Sequence, residues 1–166
     1  MATKLATESD YQGYAIEELS VGMSATYVRT ISEADIVAFA AVSGDNNPVH
    51  LDKAFAEKTM FKGQIAHGML TASFISTALG TKLPGYGCIY MSQDLRFKAP
   101  VRIGDVVKTE VTVSEVILEK KRVVLTTQCI VGDKVVLEGT AMMMVPSKAD
   151  QAPKAISLPQ GQSFSA

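Results

Sequence analysis

The hydrophobic pattern of the chain has a helical period before about residue 88 and a period of two after it. In the first part, residues 30–44 and 67–80 carry apolar side chains at the spacing of helices. Ser32 is placed to cap the first helix, and Gly44 is placed to end it in a left-handed conformation. The second helix is apolar nearly all the way round, so we expect it to be buried on most sides.

Apolar and polar residues alternate in the second part, as they do in strands with one buried face. The alternating segments are residues 88–98, 107–114, 123–129 and 135–143, with Val135, Leu137, Ala141 and Met143 on one face. Gly132 and Asp133 are typical of a two-residue hairpin turn. We therefore predict about four antiparallel strands in hairpin order, preceded by a short strand at residues 24–30. Such a sheet, wrapped around the buried helix, gives an α+β fold whose edges dimerisation would protect.

The 166 residues are expected to form one domain, which we place at residues 15–146. Residues 1–14 are predicted to be a flexible N-terminus. Residues 147–166 are polar and rich in Ala, Ser, Gln and Pro, and we predict a tail there.

Composition narrows the function classes. Hydrophobic residues make up 47% of the chain, and the formal net charge is −1. No basic stripe is present, which argues against a nucleic-acid partner. No apolar run has the length of a signal peptide or a membrane span, so we expect no membrane association. Cys88 and Cys129 form no paired motif, which fits a reducing cytoplasmic location.

The segment SGDNNPVH at residues 43–50 is the first candidate site. A helix stop and a polar turn explain most of it, but they do not explain His50. Pro48 disfavours a helical conformation at Asn47, so we predict a non-helical link between Asp45 and His50. Such a link lets the two side chains converge on a water molecule. This suits addition or removal of water, in which one group takes a proton from water and the other gives one to carbon.

His67 and Gly68 are the second candidate feature, at the start of the predicted buried helix. A glycine in the first turn leaves backbone N–H groups open to a ligand, and a helix N-terminus favours negative charge. A thioester carbonyl that becomes an enolate would be stabilised there. His67 is equally well explained as a hydrogen-bonded structural histidine. A metal site built from Asp45, His50 and His67 is a competing interpretation, although the other acidic residues show no ligand spacing.

Three long segments of the chain resemble the (R)-specific enoyl-CoA hydratases, also called hydratase 2 or MaoC-like dehydratases. They are AFAAVSGDNNPVHLDKAFA at residues 38–56, GQIAHGMLTASFISTALG at residues 63–80 and YMSQDLRFKAPVRIGDVV at residues 90–107. The family's D-x-N-P-x-H core is matched by Asp45, Asn47, Pro48 and His50. The resemblance extends over about residues 18–145, and its motif is long and specific.

The resemblance implies a hot-dog fold, in which an antiparallel sheet wraps a long central helix, and a homodimer. It implies that Asp45 and His50 hold the catalytic water and that the Gly68 N–H forms the oxyanion hole. Asn47 and Ser76 match positions that orient the Asp–His pair. The implied reaction adds water to trans-2-enoyl-CoA to give (R)-3-hydroxyacyl-CoA, without a metal or an organic cofactor. Which of the two residues is the base is left open.

Further residues near the implied site are candidates for binding or orienting the substrate. His67 and Met69 belong to this group, and Leu79, Met69 and Tyr86 are candidates for closing the acyl tunnel beside the buried helix. Two alternatives keep the hot-dog fold, namely an acyl-CoA thioesterase and a non-catalytic acyl-CoA-binding module. Polyhydroxyalkanoate supply, fatty-acid synthesis and a degradation path all fit the same Asp–His pair.

Overall fold

The computed structural model describes residues 13–151, which form a five-stranded antiparallel sheet around one long helix. The helices are α1 (Glu33–Ser43), α2 (Pro48–Leu51), α3 (Lys53–Lys58), α4 (Gly68–Thr81) and α5 (Lys148–Gln151). The strands are β1 (Ser24–Thr30), β2 (Ile89–Phe97), β3 (Val106–Ile117), β4 (Arg122–Val131) and β5 (Lys134–Met144). This confirms the predicted α+β, hot-dog arrangement.

The sheet has the strand order β1-β3-β4-β5-β2. The two-residue turn is confirmed, because Val131 of β4 pairs with Lys134 of β5 across Gly132 and Asp133. The hairpin order holds for β3, β4 and β5, but β2 pairs with β5 rather than with β3. Strands β1 and β2 are therefore the two edges of the sheet.

Helix α1 forms as its end signals predict. The Ser32 hydroxyl accepts a hydrogen bond from the Asp35 N–H at 3.2 Å, and the Asp35 carboxylate accepts one from the Ser32 N–H at 2.9 Å. Gly44 ends the helix with a φ of 76°, in the left-handed region that favours glycine. Because both ends are fixed by the sequence, the loop that follows Gly44 starts from a defined position.

Helix α4 is the central helix, and most of its surface is buried as predicted. Its buried residues are Leu70, Thr71, Ala72, Phe74, Ile75, Ala78 and Leu79. A stripe of Met69, Ser73 and Ser76 remains exposed. The hydroxyl of Ser73 donates to the Leu70 carbonyl at 2.6 Å, so its hydrogen-bond donor has a partner within the same helix.

Strand β5 departs from the predicted alternation at one point. Cys129 pairs with Leu137, whereas the next residue, Ile130, pairs with Val135, so Val136 is an extra residue in a β-bulge. The bulge turns Val136 into the core at 3% exposure, while Val135 is only half-buried. The prediction that Val135 shares the buried face of Leu137 was therefore wrong.

The start of the predicted tail packs against the domain. Ser147 is buried, and the Lys148 N–H donates to the Glu17 carboxylate at 3.1 Å. Lys121 contacts Asp150 at 2.7 Å, and its ammonium, with the Ser147 donors, lowers the pKa of the Asp150 carboxyl. The predictions for residues 1–12 and 152–166 lie outside the described residues. Within residues 13–151, no helix has both the length and the apolar character that a membrane span requires.

Candidate active site

Asp45 lies in the loop that joins α1 to α2, directly after the glycine that ends α1. Its backbone N–H donates to the Ser43 hydroxyl at 3.2 Å, and its carboxylate accepts from the Asn47 N–H at 3.2 Å. The side chain is exposed. These short-range bonds shape the loop and leave most of the carboxylate's acceptor capacity open to a ligand.

His50 lies on a short helix, which corrects the prediction of a non-helical link. Asn47 itself is indeed not helical, with φ −56° and ψ 124°, as the rule for a residue before a proline predicts. Pro48, however, starts a helical turn, because its fixed φ suits the first helical position. The Asn47 side chain caps this turn by accepting from the Val49 N–H at 3.3 Å.

The imidazole of His50 has one ring nitrogen bound and one open. Its Nδ1 lies 2.8 Å from the carbonyl oxygen of Ile65. A carbonyl only accepts, so Nδ1 carries the proton and Nε2 keeps its lone pair. Gln64 fixes the same region, because its side-chain amide donates to the His50 carbonyl at 3.0 Å. The side chain as a whole is largely buried, because His50 is 9% exposed.

His67 caps the start of α4 by position and connects it to the loop of Asp45. Its Nε2 lies 3.0 Å from the Asp45 carbonyl oxygen, so Nε2–H is the donor. Its ring stacks on His50, with the centroids 3.8 Å apart and an interplanar angle of 30°. The ring of Phe39 in α1 packs near the same imidazole, with its centroid 5.0 Å from the centroid of the His67 ring. His67 is 2% exposed, and its Nδ1 has no hydrogen-bond partner among the described residues.

A cavity of about 390 Å³ opens beside His50 and the start of α4. Its walls are mostly apolar, and they are formed by His50, Met60, Phe61, Ile65, Ala66, Gly68, Thr71, Phe97, Lys98, Ala99, Pro100, Val101, Val136 and Leu137. Gly68 is the first helical residue, so its N–H has no acceptor within the helix. The cavity thus combines an apolar interior with an open imidazole lone pair and a helix-terminal N–H, which suits a thioester with an apolar chain.

The predicted site residues divide into two groups. A carboxylate oxygen of Asp45 and one ring nitrogen each of His50 and His67 all lie within 4.8 Å of one another. Ser76 and Met69 instead line a second cavity of about 490 Å³ between α4 and β2. Ser76 follows His67 by nine residues, or about 13 Å along the helix. Ser76 and Met69 therefore line a different cavity from the one that His50 lines.

Asp45, His50 and His67 have the residue types of a metal site, but the ring geometry suits it poorly. The lone pairs of imidazole nitrogens lie in the ring planes, and these two planes are stacked at 30°. Lone pairs that lie in two nearly parallel planes, with ring centroids 3.8 Å apart, converge poorly on one point, as tetrahedral coordination requires. The arrangement fits a hydrogen-bonded water better than a resident metal ion.

Thr71 is a cavity residue that the sequence reasoning missed. It is 2% exposed, and its hydroxyl has no hydrogen-bond partner among the described residues. It follows Gly68 by three residues, which places both on one face of α4. The three-residue spacing from Gly68 is the feature of the sequence that could have identified Thr71 as a site residue. The Ile65 carbonyl, which sets the tautomer of His50, has no sequence signal because any residue supplies a carbonyl.

Comparison with known proteins gives a consistent result. Residues 19–135 match the family model described as MaoC like domain. The chain is 54% identical over 132 residues to the (R)-specific enoyl-CoA hydratase of Rhodospirillum rubrum, covering 80% of this chain and 92% of that protein. It is 48% identical over 146 residues to the 3-hydroxybutyryl-CoA dehydratase of Methylorubrum extorquens, and this match covers 88% of this chain and 93% of that protein.

A solved structure supports the same relationship. The (R)-hydratase from A. caviae involved in PHA biosynthesis superposes with a TM-score of 0.76 at 44% identity. The match covers 78% of this chain and 99% of that structure. The family match at residues 19–135 contains Asp45, His50 and the central helix.

Proposed function

The chain belongs to the MaoC-like domain family, and from this premise we propose that it is an (R)-specific enoyl-CoA hydratase. It adds water to trans-2-enoyl-CoA to give (R)-3-hydroxyacyl-CoA, and it catalyses the reverse dehydration. The observation that carries the proposal at the site is that a carboxylate oxygen of Asp45 lies within 4.8 Å of a ring nitrogen of His50, whose Nδ1 is held by the Ile65 carbonyl, which leaves Nε2 as the acceptor. These two acceptors can take both hydrogens of one water molecule.

His50 is the base in this proposal. Its Nδ1–H is held by the Ile65 carbonyl, so Nε2 is the ring nitrogen left as an acceptor. The carboxylate of Asp45 accepts the second hydrogen of the water and orients its oxygen lone pair. Positioning of this kind and general base catalysis each lower the barrier to attack by water.

The atoms of the reaction balance without a further reactant. His50 Nε2 takes one proton from water, and the remaining hydroxide forms a bond to C3 of the enoyl thioester. The electron pair of the C2–C3 double bond moves to form an enolate, whose oxygen accepts from the Gly68 N–H at the start of α4. The protonated His50 then gives its proton to C2. The proposed chemistry therefore involves neither a metal nor an organic cofactor.

We also propose a homodimer built through the edge strand β2. Tyr90 and Met91 on this strand are 38% and 43% exposed, and Met69 on the neighbouring face of α4 is 56% exposed. An apolar edge strand with unpaired backbone groups is a template for pairing with another strand. A second copy of the same strand is self-complementary around a twofold axis.

The A. caviae neighbour is named for PHA biosynthesis, and the M. extorquens relative for a four-carbon substrate. On this basis we propose that the enzyme acts in the cytoplasm on short enoyl-CoA substrates and supplies (R)-3-hydroxyacyl-CoA for polyhydroxyalkanoate synthesis. Treatment with EDTA is expected to leave the rate unchanged.

The test is an absorbance assay that follows loss of the conjugated thioester of crotonyl-CoA. The product is measured in parallel with (R)-specific and (S)-specific 3-hydroxyacyl-CoA dehydrogenases. Asp45→Ala and His50→Ala are each expected to lower the rate by about 10²–10⁴-fold. Asp133→Ala is the matched control, because it removes an exposed carboxylate in the β4–β5 turn.

Two results would overturn the proposal. One is the absence of hydration of short, medium and long enoyl-CoA by folded protein. The other is release of free CoA thiol from saturated acyl-CoA, which would identify a thioesterase instead. Binding of acyl-CoA without either reaction would support the non-catalytic alternative.

A further inference from the structure

We propose that His67 is a positioning residue, which aligns both Asp45 and His50 for the hydration reaction. The inference rests on the proposed function and adds a residue to which the chemistry itself assigns no step. Its Nε2–H donates to the Asp45 carbonyl at 3.0 Å, and its ring stacks on His50 at 3.8 Å. A single side chain therefore contacts both members of the pair.

The hydrogen bond from His67 spans 22 residues of sequence. The other described bonds of Asp45 reach only Ser43 and Asn47, two residues away on either side. Those local bonds shape the loop but do not fix it to the rest of the domain. Among the described hydrogen bonds of Asp45, the one from His67 is therefore the bond that ties its loop to the start of α4.

The burial of His67 shows that its imidazole does more than fill space. The ring is 2% exposed, and Nδ1 is buried without a partner among the described residues. An unpartnered buried polar atom destabilises a fold, so an apolar ring of similar size would pack at lower cost. The donor on Nε2 is the group that an apolar ring cannot supply.

The two histidines are held in opposite tautomers. His50 carries its proton on Nδ1, which faces the Ile65 carbonyl, and His67 carries its proton on Nε2, which faces the Asp45 carbonyl. The first tautomer leaves the catalytic lone pair of His50 open. The second ties down the loop of Asp45. Exchanging either tautomer would place a lone pair against a carbonyl oxygen and break the arrangement.

His67 is not among the residues that line the cavity beside His50. Loss of its hydrogen bond should therefore disturb the Asp45–His50 pair while leaving the cavity walls other than His50 unchanged. A misplacement of about 1 Å in a catalytic group lowers the rate by about 10²-fold. We expect kcat to fall and KM for crotonyl-CoA to stay within about threefold of wild type, because the rest of the cavity wall is unchanged.

The substitutions separate the hydrogen bond from the ring. His67→Gln places an amide N–H near the position of Nε2, whereas His67→Asn places it near the position of Nδ1. His67→Phe keeps the ring and removes the donor. We expect His67→Gln to retain kcat within about tenfold, and the other two to lose about 10²-fold. Val123→Ala is the control, since Val123 is fully buried in β4 and does not line the cavity.

Each result decides the question. If Val123→Ala lowers Tm as much as His67→Phe and lowers kcat equally, the effect of His67 is one of stability and the proposal fails. Equal kcat values for His67→Gln and His67→Asn would also overturn it, and this comparison remains valid if His67→Phe does not fold. A kcat for folded His67→Phe within threefold of wild type would overturn it as well.

A second measurement does not depend on catalysis. The chain contains only two histidines, so nitrogen-15 correlation spectra of the imidazoles give two ring patterns that can be assigned by substitution. We expect the Nδ1–H pattern for His50 and the Nε2–H pattern for His67. If wild type shows both patterns but no hydration, the proposed function fails while the tautomers stand. If His67 shows the Nδ1–H pattern in an active enzyme, the positioning proposal fails alone.

Discussion

Gly68 lies against the ring of Phe97 so closely that a Cβ at position 68 would be 2.8 Å from Phe97 Cε1. Gly68 begins the central helix, Phe97 ends the edge strand β2, and both line the cavity that His50 faces. A side chain at this position would therefore require the Phe97 ring to move. The lack of one also leaves the helix-terminal N–H open to the cavity.

Gly68→Ala is expected to fold but to lose activity on crotonyl-CoA. The new methyl group would force the Phe97 ring to move, and the ring can do so because Phe97 is 54% exposed. Its displacement would narrow the cavity at the proposed oxyanion site. We expect kcat/KM to fall by about 10-fold, less than the roughly 10²–10³-fold found for loss of one oxyanion donor, because alanine keeps the backbone N–H. Steady-state kinetics and the thermal midpoint measure the two effects.

The control for Gly68→Ala is the double variant with Phe97→Leu, which removes the ring atoms that the methyl group would meet. Phe97→Leu alone gives the baseline. Recovery of kcat/KM to this baseline in the double variant shows that the clash causes the loss. If Gly68→Ala has wild-type kinetics, the close packing at this position has no role in catalysis.

Thr71→Val is expected to stabilise the protein. The hydroxyl of Thr71 is buried without a partner among the described residues, and valine has nearly the same shape. Replacing an unsatisfied buried hydroxyl with a methyl group should raise the free energy of unfolding by about 1 kcal/mol. Thr109→Val is the matched control, because the Thr109 hydroxyl lies 3.4 Å from Cys129 Sγ and should give no gain. Urea midpoints compare the two, and equal shifts would contradict the explanation.

Features set by neighbouring residues were predictable from the sequence. Ser32, Asp35 and Gly44 specify the ends of α1, and the turn at Gly132 and Asp133 specifies the register of one hairpin. In both cases the groups that interact lie within a few residues of one another. Local chemistry therefore suffices to predict them.

Features that depend on tertiary contacts were missed. The rule for residues before proline was correct for Asn47, but it says nothing about Pro48 starting the helical turn that carries His50. The bond from His67 to the Asp45 carbonyl joins residues 22 positions apart. The motif indicated that Asp45 and His50 act together, but it could not show which ring nitrogen is open. The open nitrogen is identified by the backbone carbonyl of Ile65, which binds the other ring nitrogen of His50.

Stability is expected to fall between pH 9 and pH 11 because of Cys129. This thiol is fully buried in β4, and burial raises its pKa from 9.0 to about 11. In this range the unfolded chain loses the proton while the folded chain keeps it, so rising pH favours unfolding. The stabilisation is complete below pH 9 and is lost as the pH passes 11. A shift of two units corresponds to about 2–3 kcal/mol.

The measurement is a series of urea midpoints from pH 8 to pH 11 for wild type and Cys129→Ala. The variant should be less stable at pH 8, because it leaves a small cavity, but its midpoint should change less with pH. Burial also raises the pKa of Tyr90, to about 12, so some slope above pH 10 should remain in the variant. Parallel curves for the two proteins would show that Cys129 does not cause the alkaline loss.

Met91→Glu is expected to convert the proposed dimer to monomers. Met91 lies on the edge strand β2, is 43% exposed and lines the second cavity, which Ser76 and Met69 also line. In a twofold dimer across this edge, each copy would bring its own charge near the interface, and like charges placed close together oppose association.

Val28→Glu is the control, since Val28 is 56% exposed on β1, the opposite edge of the sheet. Sedimentation velocity should show a dimer for wild type and Val28→Glu, and a monomer for Met91→Glu. A monomeric wild type would show that there is no such dimer. Dissociation by Val28→Glu alone would show that the interface lies elsewhere. If the Met91→Glu monomer also loses hydration of crotonyl-CoA while staying folded, the second cavity belongs to a site that two copies complete, because that cavity lies apart from His50 within one chain.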